Sequence, residues 1–368
     1  MCIRDRIILG DMAVFTSLVF GVLAAVAISL LTEYYTSSTK RPTQEIAKAS
    51  QTGPATTIIS GLVLGMKSTV FPTIIVSASM LTAYHLAGLY GIAMAAVGMQ
   101  CLAGLIVAMD SYGPIADNAS GIVEMANIED GAKTIMDELD SIGNTTKAMC
   151  KGFAIGDAVF ESLALFFLFM LYTGLPAEAI SLTNPRVVVG LLIGGAVAFF
   201  FSGLCLRAVG TTAFEMIREV RRQFKEIPGI LEGRAEPDYA RCVDISTRAA
   251  LKNLVGPGLL SIGTPLIVGF TLGAETVAGM LIGMIATALL LAIMMAYAGT
   301  AWDNAKKYIE YGYFGGKGSP AHSASVIGDT VGDPFKDTAG PALNVMLTLS
   351  ATIAVLFASL FVRYSLMA

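Results

Sequence analysis

The chain has 368 residues, of which 55% are hydrophobic and 14% are charged, and its mean hydropathy is +0.69. Soluble domains carry about 25% charged residues, so this composition excludes an ordinary soluble protein and indicates a chain that lies largely in lipid. The formal net charge of −4 gives no sign of a nucleic-acid partner. The five cysteines are scattered, with no CxxC pair, and predict neither disulfides nor a zinc site.

The first residues do not resemble a natural start, because they lack the apolar core and small-residue cleavage site of a signal peptide. We expect residues 1–11 to be a non-native or truncated N-terminus, followed by one membrane domain at 12–368. A helix needs about 20 mostly apolar residues to cross the hydrocarbon core. Eight stretches reach this length, which predicts an all-α, polytopic membrane helical bundle of about eight transmembrane helices. In chain order the predicted spans are 12–35, 57–81, 86–111, 150–173, 187–209, 251–272, 276–301 and 338–362.

Most lysines and arginines fall in alternate connections between these spans, above all in the long connection at 207–252. The positive-inside rule places this basic side in the cytoplasm, and an even number of spans places both chain ends on the opposite side. Lys67, inside the second span, has no role in this scheme. Glycines four residues apart predict close helix packing at three places. These pairs are Gly61 with Gly65, Gly190 with Gly194, and Gly279 with Gly283.

Three clusters of acidic residues lie at the predicted cytoplasmic ends of helices, at 110–124, 301–307 and 328–344. In the second cluster, Asp303 and Lys306 are three residues apart and share a helix face. In the third, a polar face continues into the apolar span if the segment is a uniform α-helix. Such a face must point at protein or water instead of lipid. Its members are Asp329, Asp333, Lys336, Asp337, Gly340, Asn344 and Thr348.

Grouped carboxylates with interleaved lysines suit a polyphosphate bound with Mg²⁺. Mg²⁺ prefers oxygen ligands and shares its coordination sphere with substrate phosphates, and lysines supply positive charge to phosphate oxygens. A single such cluster is usually only solvated charge, but three of similar composition favour a binding site. Nucleotide binding is not predicted, because the segment at 61–68 lacks the adjacent Gly-Lys of a phosphate loop and lies within a span.

Several long motifs within and beside these clusters resemble the membrane-bound, ion-pumping pyrophosphatases. They are DNASGIVEM at 117–125, GNTT at 143–146, KGFAIG at 151–156, AWDNAKK at 301–307 and GDTVGDPFKDTAGPALN at 328–344. The resemblance runs from about Met12 to the end of the chain. It implies a homodimer in membrane lipid, with about sixteen helices per chain, of which this sequence would be the C-terminal half. It also implies a bacterial or archaeal plasma membrane with the catalytic side in the cytoplasm.

The resemblance further implies that Mg-pyrophosphate hydrolysis drives H⁺ or Na⁺ across the membrane, with Mg²⁺ as the cofactor. The residues that would hold Mg²⁺ or position water are Asp117, Asp303, Asp329 and Asp333. Those that would hold pyrophosphate are Lys306, Lys336 and Asn144, and the catalytic carboxylates would be Asp329 and Asp337. Without the remaining helices, this chain alone is expected to be inactive, and the choice between H⁺ and Na⁺ stays open.

Some positions of this sequence bear on the potassium requirement and on the transported ion, and several of them differ from the usual residues of the family. In the family, a lysine after the GNTT motif accompanies independence from potassium, and Lys147 stands there, although Cys150 replaces a usual threonine. Relatives usually carry a lysine where this chain has Thr348, four residues after Asn344. Asp157 and Glu161 occupy positions where relatives have small or apolar residues, and they share one helix face. We therefore predict an ion path along Asp157, Glu161, Asn344 and Thr348.

Two other function classes remain open from the sequence. A secondary transporter would place acids at the membrane midplane for the transported ion, without hydrolysis. A non-catalytic membrane scaffold would need none of the three clusters. Neither explains why carboxylates and lysines gather at one face of the membrane.

Overall fold

The computed structural model describes residues 11–126, 128 and 131–367, and every regular element in these ranges is helical. The predicted non-native segment at 1–11 lies outside the described residues except for Asp11. The Asp11 carboxylate caps the first helix by accepting a hydrogen bond from the backbone N–H of Ala13 at 2.8 Å. The all-α prediction is confirmed.

Eleven α-helices follow one another along the described chain. They are α1 (Met12–Thr36), α2 (Arg41–Ala49), α3 (Pro54–Ser68), α4 (Val70–Gln100), α5 (Ala103–Met125), α6 (Ala132–Thr173), α7 (Pro185–Glu226), α8 (Tyr239–Leu272), α9 (Ala274–Glu310), α10 (Pro320–Pro334) and α11 (Gly340–Tyr364). A π-helical segment, Phe335–Ala339, joins α10 to α11.

Seven helical runs among the described residues are long and apolar enough to cross a membrane, which makes this an integral membrane protein. The prediction was eight, and the difference arises in the run Pro54–Gln100. This run contains a break at Ala87 and Gly88, whose backbone angles are not helical. A Cβ atom on Gly91 would lie 2.1 Å from the carbonyl oxygen of Ala83, eight residues earlier. Residues so far apart cannot meet in a continuous helix, so the chain folds back sharply between the predicted spans 57–81 and 86–111.

Helix α9 forms the centre of the bundle. In its most apolar stretch 61% of the residues are buried, against 22–44% in the other six candidate spans. Its neighbours include α3, α6, α7, α10 and α11. Close backbone approach makes this arrangement possible. A Cβ atom on Gly190 would lie 2.0 Å from the Thr276 carbonyl oxygen, and one on Gly279 would lie 2.1 Å from that of Val187.

The other predicted glycine positions behave in the same way. Gly194 and Gly283 extend the contact between α7 and α9 by one turn each, and Gly65 brings α3 against the backbone of α9. At Gly61, the indole of Trp302 occupies the place of a side chain. The same indole donates a hydrogen bond from Nε1 to the carbonyl oxygen of Thr57 at 2.9 Å. The predicted glycine contacts are therefore confirmed, and those of Gly61 and Gly65 pack α3 against the part of α9 that leads to Asp303.

Candidate functional site

The candidate site forms where the last turns of α9 meet the end of α10 and the π-helical segment. Gly299 and Gly332 face each other there without side chains between them. A Cβ atom on Gly299 would lie 2.6 Å from the carbonyl oxygen of Gly332 and 2.6 Å from the Cβ of Lys336. This close approach brings Lys336 alongside Asp303, although the two residues are 33 positions apart in sequence.

Lys336 lies at the middle of a group of carboxylates. Its ammonium nitrogen, Nζ, is 2.5 Å from Asp303 Oδ2, 2.8 Å from Asp333 Oδ1 and 3.8 Å from Asp329 Oδ1. Only 5% of the Lys336 side chain is exposed. A lysine is almost never buried unless it is paired, so these carboxylates stabilise its position.

Lys306 completes the group from the neighbouring turn of α9. Its Nζ is 2.5 Å from Asp329 Oδ2 and 3.3 Å from Asp303 Oδ1. The sequence prediction that Asp303 and Lys306 share a face is confirmed. The prediction of one uniform α-helical face over 329–348 is wrong in one respect, since the π-helical segment at 335–339 widens the turn that bears Lys336. Such π segments are frequent at functional sites.

Three carboxylates of this group could hold a metal ion. One oxygen from each of Asp303, Asp329 and Asp333 lies within 4.8 Å of the other two. Asp329 Oδ1 is buried and has no hydrogen-bond partner among the described residues. Asp337 also lies 4.0 Å from Lys336 Nζ and 2.6 Å from Lys151 Nζ, so four carboxylates share three lysines. The excess negative charge and the all-oxygen ligand set fit a hard divalent cation such as Mg²⁺.

Asn144 lies in α6 and is 2% exposed, yet neither its amide nitrogen nor its amide oxygen has a hydrogen-bond partner in the described chain. Its neighbour in sequence, Thr145, accepts a hydrogen bond from Asn304 Nδ2 at 3.1 Å, which ties this turn of α6 to α9. A buried amide without partners costs about 1–3 kcal/mol. Asn144 is therefore a residue that can gain a polar ligand.

Asp117 and Asp337 are not members of the metal-compatible group. Asp117 Oδ2 lies 3.3 Å from Lys147 Nζ, and its side chain is 58% exposed. Asp337 Oδ1 lies 2.6 Å from Lys151 Nζ. The structure thus brings Asp303, Asp329, Asp333, Lys306 and Lys336 together. Asp117 and Asp337 are each held by a lysine of α6.

Two contacts of this region were missed by sequence reasoning. One is the pairing of Asp337 with Lys151, a residue quoted in a motif but given no role. The other is an ion pair between Lys307 and Asp140, in which the carboxylate is 1% exposed. The signal for the second was present, because Asp140 lies one helical turn before Asn144 in α6 and Lys307 follows Lys306. The spacing of residues within one helix does not reveal which lysine of another helix pairs with a given carboxylate.

An exposed pair lies at the outer edge of the same region. Lys317, in the connection between α9 and α10, donates a hydrogen bond to Glu124 at the end of α5. This hydrogen bond and the lysine charge lower the pKa of the Glu124 carboxyl below its ordinary value. Both side chains are more than half exposed, so the pair joins two connections without forming part of the buried group.

The residues of the predicted ion path lie farther along α6 and α11. Glu161 Oε2 accepts a hydrogen bond from Thr348 Oγ1 at 3.3 Å. Asp157 Oδ1 and Asn344 Oδ1 are both buried without a hydrogen-bond partner in the described chain.

Comparison with known proteins gives one consistent result. Residues 3–357 match the family described as inorganic H⁺ pyrophosphatase. The chain is 51% identical over 363 residues to a K⁺-insensitive pyrophosphate-energized proton pump of Methanosarcina mazei, covering 96% of this chain and 54% of the relative. It is 48% identical over 377 residues to a protein of the same description from Chloroflexus aurantiacus, covering 96% and 48%. It is 46% identical over 363 residues to a K⁺-stimulated pyrophosphate-energized sodium pump of Thermotoga maritima, covering 96% and 50%. The chain thus spans about half the length of the curated relatives it matches.

Proposed function

Because the chain belongs to the inorganic H⁺ pyrophosphatase family, we propose that it provides a Mg-pyrophosphate hydrolysis site to a membrane pump that moves H⁺ or Na⁺. The observation that supports this most directly is the group of three carboxylates around the buried Lys336, of which Asp303 and Asp329 are buried and Asp333 is exposed. Carboxylates alone would bind a cation, and lysines alone would bind an anion. Their combination suits a substrate that is a metal–phosphate complex.

Asp303, Asp329 and Asp333 would hold Mg²⁺, with Asp117 contributing from α5. Bound there, Mg²⁺ would supply positive charge to the phosphate oxygens. Lys306 and Lys336 already lie between the carboxylates, and their ammonium groups can reach phosphate oxygens as point charges.

Other residues would orient the phosphates and the attacking water. Asn144 offers a buried amide whose donor and acceptor are both free of partners in the described chain. Asp329 and Asp337 would position the water, since Asp329 Oδ1 accepts no hydrogen bond from the described residues and Asp337 is fixed by Lys151. A carboxylate fixed in this way can accept a proton from water at a defined place.

The membrane context of the proposal follows from charge and family. The proposal puts the site at the cytoplasmic face of a bacterial or archaeal plasma membrane, and the basic connections support that side. Of the three relatives described above, two are named proton pumps and one is named a sodium pump, so H⁺ and Na⁺ are both candidates for the transported ion. A homodimer in membrane lipid is the proposed assembly.

The test is to replace Asp117, Asp303, Asp333 or Lys336 individually by alanine in the full-length protein. Each change removes a charged contact to metal or phosphate, so we expect Mg-dependent pyrophosphate hydrolysis and ion transport to be lost together. Glu232→Ala is the matched control, because Glu232 is an exposed carboxylate in the connection between α7 and α8. Near-normal hydrolysis in two of the four variants would refute the assignment.

Independence from potassium is a second part of the proposal. The Lys147 side chain is 10% exposed and its Nζ is 3.3 Å from Asp117. Its aliphatic part packs against Gly113, where a Cβ atom would lie 2.3 Å from Lys147 Cγ. A tethered ammonium held in this way can supply the positive charge that K⁺ supplies elsewhere.

We therefore expect hydrolysis by the unmutated full-length protein to be indifferent to K⁺. Lys147→Ala should lower the activity without K⁺ and create stimulation by added K⁺, because a small cation can then occupy the vacated position. Lys252→Ala, at an exposed lysine of α8, serves as the control. The measurement is a titration of hydrolysis with KCl against NaCl at constant ionic strength, and strong K⁺ activation of the unmutated protein would contradict the proposal.

A further inference from the structure

Two polar contacts fix the register between α6 and α11. Near the candidate site, Lys151 Nζ is 2.6 Å from Asp337 Oδ1. Farther along, Glu161 Oε2 accepts a hydrogen bond from Thr348 Oγ1 at 3.3 Å. On α6 the two contacts are ten residues apart. On the segment formed by the π-helical turn and α11 they are eleven residues apart. These spacings correspond to about 15 Å and about 16.5 Å at 1.5 Å per residue. The two segments therefore run parallel and stay in step between the contacts.

Asp157 and Asn344 come to the same depth in this register. Asp157 is six residues beyond Lys151, and Asn344 is seven beyond Asp337, which corresponds to about 9 Å and about 10 Å along the helices. Each has one side-chain oxygen that is buried and has no hydrogen-bond partner within the described residues. Buried polar atoms are almost always hydrogen-bonded, so two unpartnered oxygens at one level indicate a position that a further group can occupy.

The carboxylates at this level have no cationic partner. Across the described part of the chain, neither Asp157 nor Glu161 forms an ion pair. The polar neighbours of the two acids are Gln100 on α4, which can hydrogen-bond Asp157, and Thr348 on α11. A carboxylate at the centre of a span costs roughly 2.5–3.5 kcal/mol on insertion scales. Two such groups on one face, four residues apart, are expected to share a bound cation or a proton.

We propose that Asp157, Glu161, Asn344 and Thr348 form an intramembrane binding site for the transported monovalent cation. The inference deepens the proposed pump function and rests on it. All four side chains offer oxygen atoms. The carboxylates can take up a proton, and the four oxygens together can bind a Na⁺ ion. The site is linked to the hydrolytic region by α11, since Lys336 and Asp337 precede Asn344 and Thr348 on the same continuous helical segment. A shift of that segment would move both sites together.

The experiment uses the full-length protein in sealed vesicles, with pyrophosphate hydrolysis and ion transport measured separately. The variants are Asp157→Asn, Glu161→Gln and the combination of both. Asp157→Glu and Glu161→Asp keep a carboxylate at each position. Glu178→Gln is the control, because Glu178 is an exposed carboxylate just beyond the far end of α6.

The double variant should hydrolyse pyrophosphate while transport per pyrophosphate hydrolysed is lost, and the carboxylate-keeping variants should retain transport. A pH-sensitive dye and a Na⁺-sensitive dye identify which cation is moved. Unchanged transport in the double variant would overturn the inference. Loss of hydrolysis in the neutral and carboxylate-keeping variants alike would also overturn it, because the two positions would then serve only the fold.

A second readout does not depend on hydrolysis. Infrared difference spectra between low and high pH, or with and without Na⁺, report a carboxyl group that gains a proton or a cation. The unmutated protein should give a carboxyl band that the double variant lacks. Identical spectra for the two proteins would overturn the inference, whether or not the protein hydrolyses pyrophosphate. The absence of pyrophosphate hydrolysis would separately refute the proposed function.

Discussion

Buried charge in the described chain is concentrated on a few side chains, and most of these are paired with a residue of another helical segment. Lys336 is held by Asp303 of α9 and Asp333 of α10. Asp140 of α6 is held by Lys307 of α9. Removing one member of a buried pair leaves an uncompensated charge, which costs more than losing the attraction alone. These residues therefore hold the helices in position as well as providing charge to the site.

Asp140 provides a test of this structural role. Asp140→Asn should lower the free energy of unfolding by about 3–5 kcal/mol, because the Lys307 ammonium would lose its partner in a buried place. The matched control is Asp244→Asn. Asp244 pairs with Arg248 at 2.6 Å, but both side chains are exposed, so the expected loss is at most about 1 kcal/mol. Thermal unfolding of the purified protein in detergent measures both, and equal melting temperatures for the two variants would contradict the account.

At the scale of the elements, the site depends on how closely α9 approaches the segment formed by α10 and the π-helical turn. Gly299 and Gly332 permit this approach, and no side chain larger than hydrogen fits at Gly299 without movement of the neighbouring backbone. The geometry of Lys336 and Asp303 is thus fixed by backbone packing some distance from the charged atoms.

Gly299→Ala should disturb the site without removing any charged group. Its Cβ atom would lie 2.6 Å from both the Gly332 carbonyl oxygen and the Lys336 Cβ, so the two segments must separate. A displacement of about 1 Å can reduce an enzyme rate about 100-fold, and we expect a loss of hydrolysis on this scale. Gly203→Ala is the control, since nothing lies within 4 Å of its added methyl group. Equal activity in both variants would show that the close approach is unimportant.

The sequence predicted the helices well because apolar length alone largely determines them. Seven helical runs correspond to the eight predicted spans, and the difference is confined to the break at Ala87 and Gly88. The positive φ of Gly88 is typical of glycine, and the chain folds back there between two predicted spans that the helical run Pro54–Gln100 contains. The π-helical turn was not predicted by the sequence periodicity, and its Phe335 ring packs against Trp302 of α9, a residue distant in sequence.

The site was predictable where its residues share a helix. Asp303 with Lys306, and Asp333 with Lys336, are three residues apart, and the structure pairs both. Contacts between helices were found only through the structure. Asp117 lies beside Lys147 instead of joining the metal-compatible group, because α5 packs against α6 and not against α10. No spacing within one segment indicates which helices become neighbours.

At the scale of the whole molecule, the polar side chains discussed above gather at two levels, which the π-helical turn and α11 connect. The group around Lys336 lies where α9, α10 and the π-helical turn meet. The oxygens of Asp157, Glu161, Asn344 and Thr348 lie deeper along α6 and α11. The proposed pump function requires that a chemical site be coupled to an ion site, and the same helical segment bears side chains of both proposed sites. The chain spans about half the length of the curated relatives it matches.

The most direct test of the central claim is to measure pyrophosphate hydrolysis and ion transport together in sealed vesicles that contain the full-length protein. We predict Mg-dependent hydrolysis when pyrophosphate is added on the side of the basic connections, accompanied by a gradient of H⁺ or Na⁺. Asp333→Ala, which removes one carboxylate from around Lys336, should abolish both signals. Ion transport without any pyrophosphate hydrolysis, or hydrolysis that persists unchanged in Asp333→Ala and Asp303→Ala, would contradict the account.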